Sequence, residues 1–511
     1  MKYKHQLPGL LLAGLSIVGL STFLPSAPAL AEEGSTPAPS GDAAPSVPGA
    51  EAILSGGHGG PTPPAGGPGS TSKELSGQFA GGLLFEEIDD DYFVTIDLYN
   101  TLSIGPVSFG VWVPLRLRVK DNDPQNDGVF RSEDWDEVSD WARLFRFVEV
   151  NLGGETWRFR GRIGALDGES IGHGTILGGY YNAVDRNHYQ SGLALSGAIK
   201  YGGAEMMLDN LLAPEIFGFR LHLRPTSFFT ENRWANKLAI GLSMIGDVDA
   251  PLTLRWSDPD NDGGYAAEVT DEGNYRLESS DALLIYGVDV EYTLLQNKLI
   301  DLVPYIDLNF IGDVRTGVGF HAGVFFNLRL PTPVGPTLLT RLEYRAVGDG
   351  YAPRYVDSLY EAQRVMVGPD IFDPAANDRP LTKLEWLRTA ETGANGILGE
   401  LYFDFAGWIR VGGAYEDYSG DNNSALTLSL LLPKIKAVQL GAYYTNRGFD
   451  SMSDAFDLET ALLRAFARVR AWGPIYLSAT YTRTWVIDAN DGNKYIAEGN
   501  WSVGLSMVFT Y

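Results

Sequence analysis

The chain has 511 residues, 44% hydrophobic and 12% aromatic, with a formal net charge of −25 and no cysteine. That apolar content excludes a disordered chain, and the acidity argues against a nucleic-acid partner. The missing cysteine excludes a disulfide framework and removes the thiol that a lipid-anchored N-terminus needs.

Met1–Gln6 carries Lys2 and Lys4, Leu7–Leu24 is apolar, and Ala29-Leu30-Ala31 supplies a small-residue cleavage site. This is the layout of a secretory signal peptide, with removal expected after Ala31. Residues 32–72 are nearly all Ala, Pro, Gly, Ser, Glu and Thr, so a disordered linker is expected over 32–75. The rest of the chain has no apolar run near the ~20 residues of a spanning helix.

From Ser76 onward the pattern has period two. In the final segment Trp501, Val503, Leu505, Met507, Phe509 and Tyr511 share one face, with Asn500, Ser502, Gly504, Ser506 and Thr510 on the other and Val508 an exception. Strands alternate side chains across the sheet in this way. The alternation recurs at Trp157–Ile163, Phe217–Arg224, Val318–Leu330 (with Phe325 an exception) and Ile475–Thr482, in about 20 segments altogether. Segment 142–152 fits badly, because either face receives an arginine.

The connections fall into two sets. Tight turns such as Ile104-Gly105-Pro106, Gly153-Gly154, Gly202-Gly203 and Trp472-Gly473-Pro474 alternate with long stretches at 120–141, 166–190, 250–280, 350–394 and 449–457. Counting back from the C-terminus puts every long stretch at one end. The expected fold is therefore all-β: a single transmembrane antiparallel β-barrel over 76–511, of about 18–20 strands, since only helices and closed barrels satisfy their backbone in lipid.

The segregated loops and the final strand, alternating and ending in aromatic Tyr511 after Phe509, resemble Gram-negative outer-membrane barrels of the porin type. Many members end in Phe, so Tyr511 departs from the pattern, and no particular porin family matches by motif. The resemblance implies short periplasmic turns, long extracellular loops and a periplasmic linker. It also implies a cell outer-membrane location, lipid and lipopolysaccharide as surroundings, and the barrel-assembly machinery as reader of the last strand. A porin-like homo-oligomer would fit.

With the apolar face in lipid, the other face lines the lumen. Arg116, Arg118, Arg158, Arg160, Arg162, Arg220, Arg224, Arg464, Arg468 and Arg470 share that face, and barrel closure is expected to gather them into a basic wall. Asp289, Glu291, Asp301, Asp307 and Glu343 are expected to form an acidic wall opposite, giving a transverse field that selects solutes. The competing reading is that these charges pair and fill the interior; at ~16 strands or more the interior is wide enough for water. The expected function is an outer-membrane pore for passive diffusion of small polar or charged solutes. A plugged barrel serving as a receptor or scaffold is the alternative.

Two loops invite attention. Loop 350–394 holds helix-like stretches at Leu359–Met366 and Leu381–Arg388, and Gly-rich loop 166–190 is a second candidate to fold inward. Asp258, Asp260 and Asp262 before Gly263 match the opening of a calcium loop, a tentative extracellular Ca²⁺ site, although Val269 stands where the closing carboxylate belongs. No cofactor is otherwise expected. A hydrolase using Ser170 and His173, with Asp185 and His188 in the same loop, is the third reading; no G-x-S-x-G frames Ser170, so an enzyme is not expected.

Overall fold

The computed structural model describes residues 75–510 except 89–90, 123–127, 132–133, 136–140, 143, 155, 183–189, 233, 258–265, 271–273, 313–316, 333–334, 366–379, 391, 406–407, 433–436 and 489–490. The signal peptide, the linker up to residue 74 and the Asp258, Asp260 and Asp262 cluster thus lie outside the described residues.

Twenty antiparallel strands form one closed barrel. In chain order they are β1 (Leu75–Ile88), β2 (Asp91–Ile104), β3 (Val107–Lys120), β4 (Phe147–Gly153), β5 (Trp157–Gly164), β6 (Gly192–Ile199), β7 (Gly202–Leu208), β8 (Ile216–Leu223), β9 (Leu238–Leu254) and β10 (Leu277–Tyr292). The ring continues with β11 (Ile300–Ile311), β12 (Val318–Arg329), β13 (Thr337–Val347), β14 (Ala394–Phe405), β15 (Ile409–Tyr418), β16 (Ser424–Leu432), β17 (Val438–Phe449), β18 (Leu462–Trp472), β19 (Ile475–Asp488) and β20 (Asp491–Thr510). Each pairs with its sequence neighbour, and β20 closes on β1 in a register running from Gln78↔Thr510 to Glu86↔Ser502. Among the described residues every strand of the ring thus has a partner strand on each side, as a membrane-spanning sheet requires.

Segment 142–152 resolves its own conflict. Strand β4 begins only at Phe147, so Arg146 precedes the strand and is buried beside Asp167.

Connections 121–146, 165–191, 255–276, 348–393 and 450–461 all lie at one end, the long-loop end. The other end carries tight turns and both termini of the ring; its longest connection, 224–237, is taken up by two 3₁₀ turns. Outward positions are apolar along the height of the barrel, as at Leu221, Leu242, Val288, Ile306, Leu342, Leu401 and Leu505. Trp157, Tyr201, Phe228, Trp234, Trp408 and Trp472 are exposed at the tight-turn end, with Tyr201 stacked on Phe228 at 4.9 Å. An apolar band with an aromatic girdle is the surface that a bilayer covers.

Leu342 sits mid-strand on β13 and is 64% exposed on the outer surface. Leu342→Arg is expected to destabilise the inserted barrel by about 2–4 kcal/mol. Urea unfolding in lipid vesicles measures this, and an unchanged midpoint would place Leu342 away from the bilayer.

Candidate functional site: a lumen occupied by two loops

The inward face of the ring carries the charges, and they meet one another rather than standing apart. Arg116 pairs with Glu86 at 3.0 Å and with Asp134 at 2.6 Å. Arg118 reaches Asp91 at 2.9 Å. Arg162 holds Glu149 at 3.2 Å and Asp167 at 2.5 Å, and Arg160 holds Glu169 at 2.9 Å. Arg220 on β8 spans β9 to bind Asp289 on β10 at 2.7 Å, and takes Glu205 at 3.0 Å. The span crosses Gly241, where a Cβ would come within 2.2 Å of the Asp289 carboxylate.

This corrects the opposed-walls expectation for the arginines that pair. The partners lie on the same, an adjacent or a next-but-one strand, or in a connection beside it, because a buried charge must find its partner within reach of one side chain. Asp301 pairs with Arg329, and Glu343 with Arg341, Arg345 and His321. Arg464 donates to Thr482 at 3.3 Å, Arg468 to Gln439 at 3.2 Å, and Arg224 is buried beside the 3₁₀ turn that follows it. Arg158 is half-buried on the same face. Arg470 departs from the expectation: it is exposed at the tight-turn rim and donates to the Gly473 carbonyl. The sequence reading missed Glu86, Glu149 and Glu205 as partners. Each lies on an inward strand position, and that parity was the available signal.

Two long connections, loop A (residues 165–191) and loop B (residues 348–393), enter the lumen with their described residues. In loop A, Asp167–Glu169 pairs with Tyr180–Tyr181, and a turn returns through Gly172 at φ +60°. Glycine is needed there twice over, since a Cβ would lie 2.9 Å from Arg220. The Gly172 N–H donates to Glu205 at 2.8 Å. Ile171, Ile176, Leu177 and Tyr180 join a buried cluster with the inward residues Met207, Ile216, Ile245, Ile285 and Ile311 near the long-loop end.

Loop B docks on loop A. Val356–Asp357 pairs in parallel with Leu177–Gly178, and the Arg354 N–H donates to the Thr175 carbonyl at 2.9 Å. Its helices fall at Tyr360–Gln363, within the expected Leu359–Met366, and at Lys383–Thr389, ending one residue beyond the expected Leu381–Arg388. Thr382 caps the second by accepting from the Glu385 N–H at 3.0 Å, and Leu384 and Leu387 face the cluster. Tyr360 donates to Asp247 at 2.7 Å, and Arg364 binds Asp247 at 3.0 Å and Glu215 at 2.8 Å.

Loop A is fastened to the wall at His173. Its ring contacts Asp307 through Nδ1 at 2.7 Å and Glu291 through Nε2 at 3.1 Å, and it stacks on Tyr305 at 4.2 Å. Phe325, the exception in its strand's alternation, packs against Tyr305 at 5.0 Å and against His173 at 6.0 Å. With both nitrogens turned to carboxylates, His173 leaves neither for Ser170, whose hydroxyl accepts from the Gly179 N–H at 2.9 Å. That geometry does not assemble a serine nucleophile with its base; Asp185 and His188 lie outside the described residues.

Above both loops, Trp256–Ser257 pairs with Ala266–Ala267 in the connection between β9 and β10. The Ala267 N–H donates to Asn493 on β20 at 3.2 Å, and Tyr275 meets Tyr495 edge-on at 5.9 Å. Those strands lie on opposite sides of the ring, so this hairpin bridges the long-loop mouth. Between loops A and B and strands β13–β17 a cavity of about 670 Å³ remains, bordered by residues 419–423.

No family model matches the chain, and no curated protein matches it in sequence. Among solved structures it is similar to a ferric enterobactin receptor (PfeA) mutant from Pseudomonas aeruginosa, at 8% identity over 86% of this chain and 81% of that one, with a TM-score of 0.32. It is also similar to the outer membrane protein opdK from Pseudomonas aeruginosa, at 9% identity over 86% and 99% with a TM-score of 0.30. Acinetobacter baumannii OccAB2 is similar at 9% identity over 87% and 100%, with a TM-score of 0.29. No residue's role is carried over from these barrels.

Burial would lower the pKa of His173, but the carboxylates of Asp307 and Glu291 outweigh it and push it up to about 10. A raised folded pKa gives docking its full strength below the ordinary value of about 6.5 and removes it as pH rises through about 10. Loop A of the wild type is therefore expected to resist proteinase K from about pH 6 to 9 and to be cut above about pH 10. His173→Gln is expected to be cut throughout, with no such step. Equal cleavage of both proteins at neutral pH would contradict the clamp.

Proposed function

We propose that this protein is an outer-membrane channel for passive diffusion of small polar or charged solutes, with loops A and B narrowing its lumen to a selective path. The observation that carries the reading is the interior: a 20-strand ring lined by charged side chains, with a mixed-charge cavity beside the in-folded loops. A barrel of this size has room for water, and charged linings at close quarters select among solutes. The signal peptide and the alternating last strand support export and assembly by the barrel-assembly machinery, with the long loops outside and the tight turns in the periplasm. Lipopolysaccharide contact, a homo-oligomer and calcium binding by Asp258, Asp260 and Asp262 belong to the same reading. The arginines and carboxylates of the lumen act in it as pore lining, many of them in pairs.

The bridging hairpin and the His173 clamp favour a second reading, a closed barrel serving as a surface receptor or scaffold. Single-channel recording separates the two. The refolded wild type in a planar bilayer is expected to give small, stable steps. Replacing residues 349–392 by a short Gly-Ser turn is expected to raise the step size several-fold. A silent wild type whose loop-deleted variant conducts would establish the closed barrel instead.

A further inference from the structure

The cavity wall carries four cations, Arg341, Arg354, Lys383 and Arg447, and four carboxylates, Asp357, Glu400, Glu416 and Asp421, but they are not all held in the same way. Arg354 sits between two carboxylates, bound to Glu400 and 3.4 Å from Glu416, while Arg447 holds Asp357 at 2.5 Å. Arg341 is taken by Glu343 behind the wall, with Glu400 at 3.9 Å. Asp421 stands exposed at the solvent rim. Arg354 is placed at some cost: its backbone is left-handed at φ +52°, a conformation that persists where the surroundings hold it. The holding contact is its N–H bond to Thr175 of loop A.

Lys383 is different. Its ammonium lies over the rings of Tyr355 and Tyr360, 5.1 Å from each centroid, and makes no ion pair or hydrogen bond among the described residues. Burial lowers its pKa, while Asp357 acts in the opposite sense. Two further wall groups have unspent donors among the described residues: the Tyr402 hydroxyl and the Trp386 indole N–H. Tyr181, Tyr351 and Tyr443 supply further flat surface around the same space.

We propose that this cavity binds a small aromatic monoanion. Its negative group lies at Lys383 within reach of the Tyr402 or Trp386 donor, and its ring lies among the tyrosines. The wall's arginines are each held by a carboxylate, so Lys383 is the cation facing the space that makes no ion pair among the described residues. An ammonium over two rings, with three N–H groups to give, is a ready partner for a carboxylate. A cavity of about 670 Å³ holds a benzoate-sized solute with room for water. This rests on the channel reading and names the solute class for it.

The test is calorimetric titration of the folded, detergent-solubilised full chain with benzoate, benzylamine and acetate. Benzoate is expected to bind, acetate to bind more weakly, and benzylamine not to bind. Lys383→Gln is expected to weaken benzoate by about tenfold or more, the scale of one charged hydrogen bond, while Lys383→Arg stays close to wild type. Tyr402→Phe removes one oxygen without emptying space and is expected to cost several-fold if that hydroxyl donates. Equal binding of benzoate and benzylamine, or benzoate affinity unchanged in Lys383→Gln, overturns the proposal. Binding is read without current, so the two ideas fail separately. Conduction without benzoate binding removes the solute class and keeps the channel, whereas binding by a silent barrel does the reverse.

Discussion

A ring of twenty strands encloses more space than its own inward side chains can fill, and the rest of the structure answers to that constraint. Closing the sheet satisfies the backbone in lipid but creates a wide interior lined by every second residue. Those residues are polar by alternation, and a polar interior must be hydrated or paired. This protein pairs much of it. Arginines reach sideways along the wall to nearby carboxylates, and two loops descend from one mouth into the remaining space. Where arginines pair, the charge is cancelled within a few ångströms rather than across the lumen, as at Arg220 and Asp289.

Loop docking uses two kinds of contact that favour different depths. Near the long-loop end the inward face turns apolar, with Ile216, Ile245, Ile285 and Ile311 receiving Ile176, Leu177 and Tyr360. Further along the same strands the wall is charged, and His173 and Thr175 meet Asp307 there. The apolar shelf provides burial without direction, and the clamp fixes position. Loop B is then located largely by loop A, through the short parallel pairing and the Arg354 N–H. The cavity between them is set by both loops together, so its shape depends on their joint order.

Much of this was legible in the sequence. The twenty strands, the segregation of loops and the outward faces follow from period two and turn chemistry, which are local. The two helical stretches of loop B were legible for the same reason. The exceptions to alternation carried more than they seemed to: Phe325 breaks the pattern because the His173 stack meets it inside the barrel. Val508, on the lumen face, packs by Ala80, Leu84, Tyr99 and Trp112. What was not legible was which charge meets which. Arg220 binding Asp289 across β9 depends on strand register and on the missing side chain at Gly241. Lys383, Arg354 and Glu400 come together through loop B's path, which no spacing in the chain encodes.

The central claim is that loop A lies inside the barrel against the wall, and proximity tests it most directly. The Thr175 hydroxyl and the Asn309 amide are 3.1 Å apart across the lumen contact, and the chain has no cysteine of its own to interfere. Thr175→Cys combined with Asn309→Cys, in the folded full-length protein, can be treated with a short bis-methanethiosulfonate. Docking predicts rapid intramolecular linkage in the double variant, read as a mass shift of one linker. Two singly modified thiols and no linkage, in a barrel that still shifts on heating in a gel, would mean that loop A stands clear of the lumen.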